Sequence, residues 1–146
     1  MEQCRRGECK DCKDFEIKVR AVLAMKTIAV VGMSSQEERP SYQVGKYLIE
    51  HGYDVIPVRP DGGEILGRTV VGSLKEIDRP VEIVDVFRRP EDCEEIAADA
   101  VSIGAKVLWL QEDIVSPAAE KIANDAGLLF VMDTCIKKMH EKYFGE

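Results

Sequence analysis

Residues 27–52 read TIAVVGMSSQEERPSYQVGKYLIEHG, and this stretch decides the fold class. The apolar run TIAVVG (27–32) has the length and composition of a buried strand. A polar loop follows from Met33 to Pro40. SYQVGKYLIEH (41–51) then places Val44, Tyr47 and Leu48 on one helical face, with Ser41 in the expected N-cap position and Gly52 closing the helix at C′. Strand, loop and helix in this order form the phosphate-holding unit of many α/β proteins. The dinucleotide fingerprint G-x-G-x-x-G is absent, because Met33, Ser34, Ser35, Gln36 and Glu37 follow Gly32.

Outward from this unit the alternation continues. YDVIPV (53–58), VEIVDVF (81–87), AKVLWLQ (105–111) and LLFVMD (128–133) read as further strands. Between them lie RPDGGEILG (59–67), rich in turn residues, a short extra strand over 69–71 and a helical turn at SLKEI (73–77). Pro90 opens a helix, EDCEEIAADAVSI, that stops at Gly104; Ser116 and Pro117 open another that stops at Gly127. TCIKKMHEKYF is the last helix, and DFEIKVRAVLAM (14–25) is an amphipathic first one. Near-continuous apolar strands covered on both faces predict a parallel sheet with right-handed crossovers. The fold class is therefore α/β: a Rossmann-like, doubly wound, three-layer α/β/α domain over residues 14–146. Five main strands are expected in the order 3-2-1-4-5, with the ligand at the switch between strands 1 and 4.

The 146 residues suit one domain. A net charge of -7 argues against general nucleic-acid binding. No apolar run reaches the ~20 residues of a membrane span, and the polar start MEQCRRGECKDCKD has no signal-peptide core. A cytoplasmic location is expected. Five cysteines, Cys4, Cys9, Cys12, Cys93 and Cys135, do not suggest a disulfide framework. Residues 1–13 form a cysteine-rich leader.

The strand ends carry the candidate site. After strand 1 come Gly32, Met33, Ser34, Ser35, Arg39, Pro40 and Ser41, a loop leading to a helix N-terminus. After strand 2 come Arg59 and Pro60, where an NAD site has an acidic residue; an arginine suits a phosphorylated ribose, while Asp61 keeps NAD open. After strand 3, Val86 and Phe87 precede Arg88 and Arg89, a local positive patch in an acidic chain. The plain alternative makes Phe87 core and pairs the arginines with Glu91, Glu94 or Glu95. Trp109 reads as core. Cys135 starts the last helix, where the dipole can activate a thiol, although a buried inert cysteine is the simpler reading.

These residues together resemble the small stand-alone CoA-binding proteins of the CoA-binding-domain superfamily. The segments that carry the resemblance are IAVVGMSSQEERPSYQVGKYLIEHGYDVIPV, GGEILGRTVVGSLKEI, VEIVDVFRRPEDCEEIAADAVSIGAKVLWLQ and AGLLFVMDTCIKKMH. It spans about residues 25–142 and implies a fold similar to the CoA-binding domain of the succinyl-CoA synthetase α subunit. The resemblance implies that Gly32, Ser34 and Arg39–Ser41 meet the pyrophosphate region. It sets Arg59 and Pro60 beside adenosine, with Val86, Phe87 and Arg88 lining adenine and ribose. Gln111 would border the pantetheine, and Asp133 and Cys135 belong to the last motif. The chain departs from the family pattern at Arg59, where Asn is usual, and at Thr134, where Arg is frequent.

A non-catalytic CoA or acyl-CoA binder is the function these residues imply: a carrier, sensor or regulatory module with no catalytic residue, no metal and a small-molecule partner. No nucleic-acid or membrane partner is expected. His51 and His140 sit in no recognisable catalytic setting. Two rivals stand beside this reading. One is an NADP-dependent oxidoreductase fragment. The other is a metal or redox module on Cys4, Cys9 and Cys12, whose spacing suits a metal knuckle lacking its second pair.

Overall fold

A computed structural model describes residues 10–145, with side chains from residue 13 onward. The leader's Cys4 and Cys9, and the side chain of Cys12, lie outside the described residues. The first helix, α1, runs Lys10–Leu23. It starts four residues before the expected boundary, inside the segment read as leader. Five parallel strands build the main sheet: β1 (Thr27–Val31), β2 (Asp54–Val58), β5 (Ile83–Val86), β6 (Val107–Leu110) and β7 (Leu129–Val131). Their crossovers carry α2 (Pro40–Glu50), α3 (Cys93–Ser102) and α4 (Pro117–Asp125), and α5 (Ile136–Tyr143) closes the described chain. After β2, β3 (Glu64–Ile65) and β4 (Arg68–Thr69) form a small antiparallel hairpin. Val71 then makes a parallel bridge to Val58. A helical turn at Leu74–Glu76 follows, as expected.

The α/β doubly wound class holds, but the strand order differs from the expected 3-2-1-4-5. The sheet runs β2-β1-β5-β6-β7, so the third main strand lies beside the first, opposite the second. The reason is visible in Pro57. Its register partner is Val30 on β1. The missing N–H of a proline is tolerated only on the open side of an edge strand. On that side the Pro57 carbonyl accepts from Val71 N at 3.0 Å. An order that buried β2 between two neighbours would have broken a ladder bond at Pro57.

The period of two along each strand sorts the core onto two faces. Ile28, Val30, Ile83, Val107 and Trp109 meet Val19 and Val22 of α1, Val44 and Leu48 of α2, and Ile136 of α5. Ala29, Val84, Val86, Leu108 and Leu110 meet Ala97 and Ala100 of α3, and Ala119 and Ala123 of α4. The alanines let α3 and α4 approach closely, whereas larger residues fill the other face. Burying each Val, Leu or Ile contributes about 1.5–3 kcal/mol. One residue breaks the pattern. Asp85 sits mid-strand in β5, 0% exposed, and neither carboxyl oxygen has a hydrogen-bond partner among the described residues. Its register neighbours are Val30 and Trp109.

Helix ends follow local chemistry, with one correction. Ser116 caps α4, its hydroxyl accepting from Ala119 N at 3.1 Å, and Pro117 takes the first helical position. Ser41 does not cap α2. Pro40 already occupies the first turn, and Arg39 holds the cap position without a side-chain bond. Proline is preorganised for that first position, and this moves the cap two residues upstream, from Ser41 to Arg39.

Candidate functional site

The switch point lies between β1 and β5, and the chain ends of both strands meet there. Phe87 N donates to Val31 O at 2.9 Å, and Gly32 N to Val58 O at 2.8 Å. Gly32 has φ +87°, and a Cβ at that position would lie 2.8 Å from Phe87 O and 3.0 Å from Arg88 Cδ. A side chain would therefore be strained and would collide with the neighbouring strand. The glycine lets β1 turn away directly under the Phe87–Arg88 peptide.

Two cavities open at this point. The larger, about 470 Å³, lies against the N-terminus of α2. Gly32, Met33, Ser34, Arg39, Pro40 and Ser41 of the first loop line it, together with Arg59, Pro60, Phe87 and Arg88. The loop is held from within. Ser34 N donates to the buried Ser41 Oγ at 2.8 Å, Gln36 N to Ser34 Oγ at 3.0 Å, and Arg39 Nε to Gln36 Oε1 at 3.2 Å. Both serine hydroxyls thus accept bonds that shape the loop. The amides of Ser41 and Tyr42 at the start of α2 take no acceptor among the described residues. They point the positive end of an 11-residue helix at the cavity. Arg59 reaches in from the end of β2, donating to Met33 O at 3.4 Å and pairing with Asp61 at 2.8 Å.

The smaller cavity, about 210 Å³, shares Gly32, Arg59, Pro60 and Arg88 with the first. It extends to the other face of the sheet, against Ser73, Leu74 and α3. Val31, Val58 and Ile96 give it an apolar floor, while Asp92, Glu95 and Asp99 give it an acidic rim. The site is one crevice with a basic arm and a mixed arm, joined where the two arginines approach Gly32.

Most of the loop residues picked from the sequence meet here; others do not. Ser35 and Arg89 line neither cavity. Val86 is fully buried in the core on the α3 face rather than at the ligand wall. Gln111 and Cys135 also stand apart from both cavities. Gln111 is buried and accepts from Ile136 N at 3.1 Å, capping α5, where Cys135 occupies the N-cap position. Trp109 is core, as expected, its Nε1 donating to Thr134 O at 2.7 Å. Arg88 and Arg89 pair with Asp92 rather than with Glu91, Glu94 or Glu95. Burial, then Asp92 and Glu91, pushes the Cys93 thiol up to about 11, away from the thiolate form that reacts. The sequence reading missed the α3 rim. Its signal was the spacing of Asp92, Glu95, Ile96 and Asp99, which marks one helix face. Among the described residues, no group of three or more His, Cys, Asp or Glu side chains is placed to hold a metal. No described helix is long and apolar enough to cross a membrane.

The model of the CoA binding domain family matches residues 26–141, which takes in both arms of the crevice. The chain belongs to this family. It is similar to the uncharacterized protein YneT of Bacillus subtilis (strain 168), 43% identical over 115 residues, 79% of this chain and 85% of that protein. A hypothetical protein from Pyrococcus horikoshii OT3 has the same architecture, with a TM-score of 0.88 and 38% identity; 99% of this chain and 100% of that one superpose. A dinucleotide-forming acetyl-coenzyme A synthetase from Ca. Korarchaeum cryptofilum shares the fold at a TM-score of 0.66 and 18% identity. There the match covers 73% of this chain but 25% of the synthetase.

Proposed function

We propose that the crevice binds coenzyme A, or an acyl-CoA, and that the protein acts as a non-catalytic carrier, sensor or regulatory module. One observation carries this reading. In a chain of net charge -7, Arg39, Arg59 and Arg88 converge on the uncapped N-terminus of α2. Guanidiniums and free helix amides in one concavity are the chemistry of a phosphorylated ligand. Arg59 at the end of β2 favours a ribose that carries a phosphate over the free diol of NAD. The apolar floor of the second arm offers a flat base a surface, and its carboxylates offer acceptors to amino or hydroxyl donors.

The absence of a catalytic role is supported by how the polar side chains are used. Ser34 and Ser41 hold the loop, and Asp61 and Asp92 hold arginines. His51 is the C-cap of α2, at the other end of the helix from the crevice. His140 packs against Tyr47, Tyr53 and Phe144.

Calorimetric titration with CoA, 3′-dephospho-CoA, NADP and NAD tests the reading. CoA should bind, and binding should weaken without the 3′-phosphate. A preference for NADP would instead place the protein among nicotinamide-dependent oxidoreductases. No binding of any of the four would leave the fold without this function.

A further inference from the structure

The crevice arginines Arg59 and Arg88 are already engaged by the protein's own carboxylates. Asp92 Oδ2 accepts from Arg88 Nη2 at 3.3 Å and from Arg89 Nε at 3.4 Å. Asp61 Oδ2 takes Arg59 Nη2 at 2.8 Å. Asp92 is the more telling case. It lines the second arm beside Arg88, it is the less exposed of the two carboxylates, and one of its oxygens serves two guanidiniums. Both bonds are long and single, and each guanidinium has five N–H donors. A phosphate oxygen set is better matched to the arginine fork and forms shorter, bidentate bonds.

Asp92 has no other local task that the structure shows. It stands at the N-cap of α3, yet its side chain makes no capping bond. The carboxylate is therefore placed to hold Arg88 at the crevice.

We infer that Asp92 is a built-in competitor for ligand phosphate. It holds Arg88 and yields it when a phosphate arrives in the crevice. This rests on the anionic-ligand reading above and deepens it, because it identifies the residue that sets affinity. The wild-type protein binds phosphate more weakly than its arginines allow. The difference falls on any ligand whose phosphate reaches Arg88, and spares one whose phosphate does not. Asp61 stands in the same relation to Arg59.

The test compares the wild type with Asp92→Asn, and with Asp61→Asn as a second variant. Asparagine serves a helix N-cap as well as aspartate does, so α3 keeps its start. Inorganic pyrophosphate is titrated at low salt while the arginine Nε–H resonances are followed by NMR, and CoA is titrated by calorimetry. Half-saturation by pyrophosphate should fall about two- to fivefold in Asp92→Asn, the range that exposed ion pairs are worth. The Arg88 Nε–H resonance should shift on titration of the wild type as its guanidinium is exchanged from Asp92 to the ligand. Equal half-saturation in variant and wild type overturns the inference, and so does an absence of any arginine shift. Weaker binding in Asp92→Asn also overturns it, since Asp92 would then be orienting the arginines for the ligand. Pyrophosphate competition without CoA binding would keep Asp92 as competitor and remove the coenzyme A reading.

Discussion

Replacing Asp85 with asparagine should change how stability depends on pH, and the sign follows from burial alone. The carboxyl is 0% exposed, unpartnered, and set between Val30 and Trp109 in the middle of the sheet. Desolvation raises its pKa well above the ordinary value of 3.8. Burial is the cause of that shift. The folded protein therefore keeps the Asp85 proton over a pH range in which the unfolded chain has lost it. Within that window folding takes up one proton, and stability falls as pH rises by about 1.4 kcal/mol per pH unit. The contribution is largest below the unfolded pKa and is lost progressively as pH rises toward the folded one. Asparagine has nearly the same shape and cannot ionise. The stability difference between Asp85→Asn and wild type should thus move in favour of asparagine by about 1.4 kcal/mol for each pH unit between the unfolded and the raised folded pKa. Urea unfolding followed by fluorescence of Trp109, the single tryptophan, reads this directly. Parallel pH curves for the two proteins would refute the argument, because they would mean that Asp85 titrates alike in both states.

Two further outcomes follow from the same geometry. Gly32→Ala combines a φ of +87° with a Cβ 2.8 Å from Phe87 O, so thermal or urea melts should show a loss of at least about 1–3 kcal/mol, and CoA titration a loss of binding. His140 gives a slope opposite to that of Asp85: burial first, then His51 and Lys26, lowers its pKa below 6.5 against a smaller opposing pull from Glu141. Its Nδ1 lies 2.7 Å from Tyr47 Oη, and stability should be full above the unfolded pKa and decline as pH falls from about 6.5 through the lower folded value; His140→Gln melts should lose that decline.

Periodicity made the α/β class and nearly every element legible, because two-faced burial writes itself into short apolar strands and capped helices. Ser116-Pro117 announced α4 by its chemistry alone. Other features were illegible for physical reasons. An amide that caps a helix across the sheet, as Gln111 caps α5, has no local signature: its partner is 25 residues away. Ser41 looked like a cap because serine usually is one, but its hydroxyl serves Ser34 N seven residues upstream. The orphan carboxyl of Asp85 breaks an apolar run, and nothing in the run says whether a partner will be found.

The strand order shows how much of the site hangs on one residue. In the expected order 3-2-1-4-5, the third strand would lie two strands from the first, roughly 10 Å away at the ordinary spacing of about 4.8 Å. Arg88 would then have stood beyond β2, and Gly32 would have faced a different neighbour. Pro57 confines β2 to the edge, which leaves the other side of β1 for β5. The observed pairing of β1 with β5 places the Phe87–Arg88 peptide against Gly32. Loop, helix N-terminus and arginines meet only because of that adjacency. The proline that lacks a donor at the sheet's edge therefore does as much to assemble the crevice as any residue that lines it.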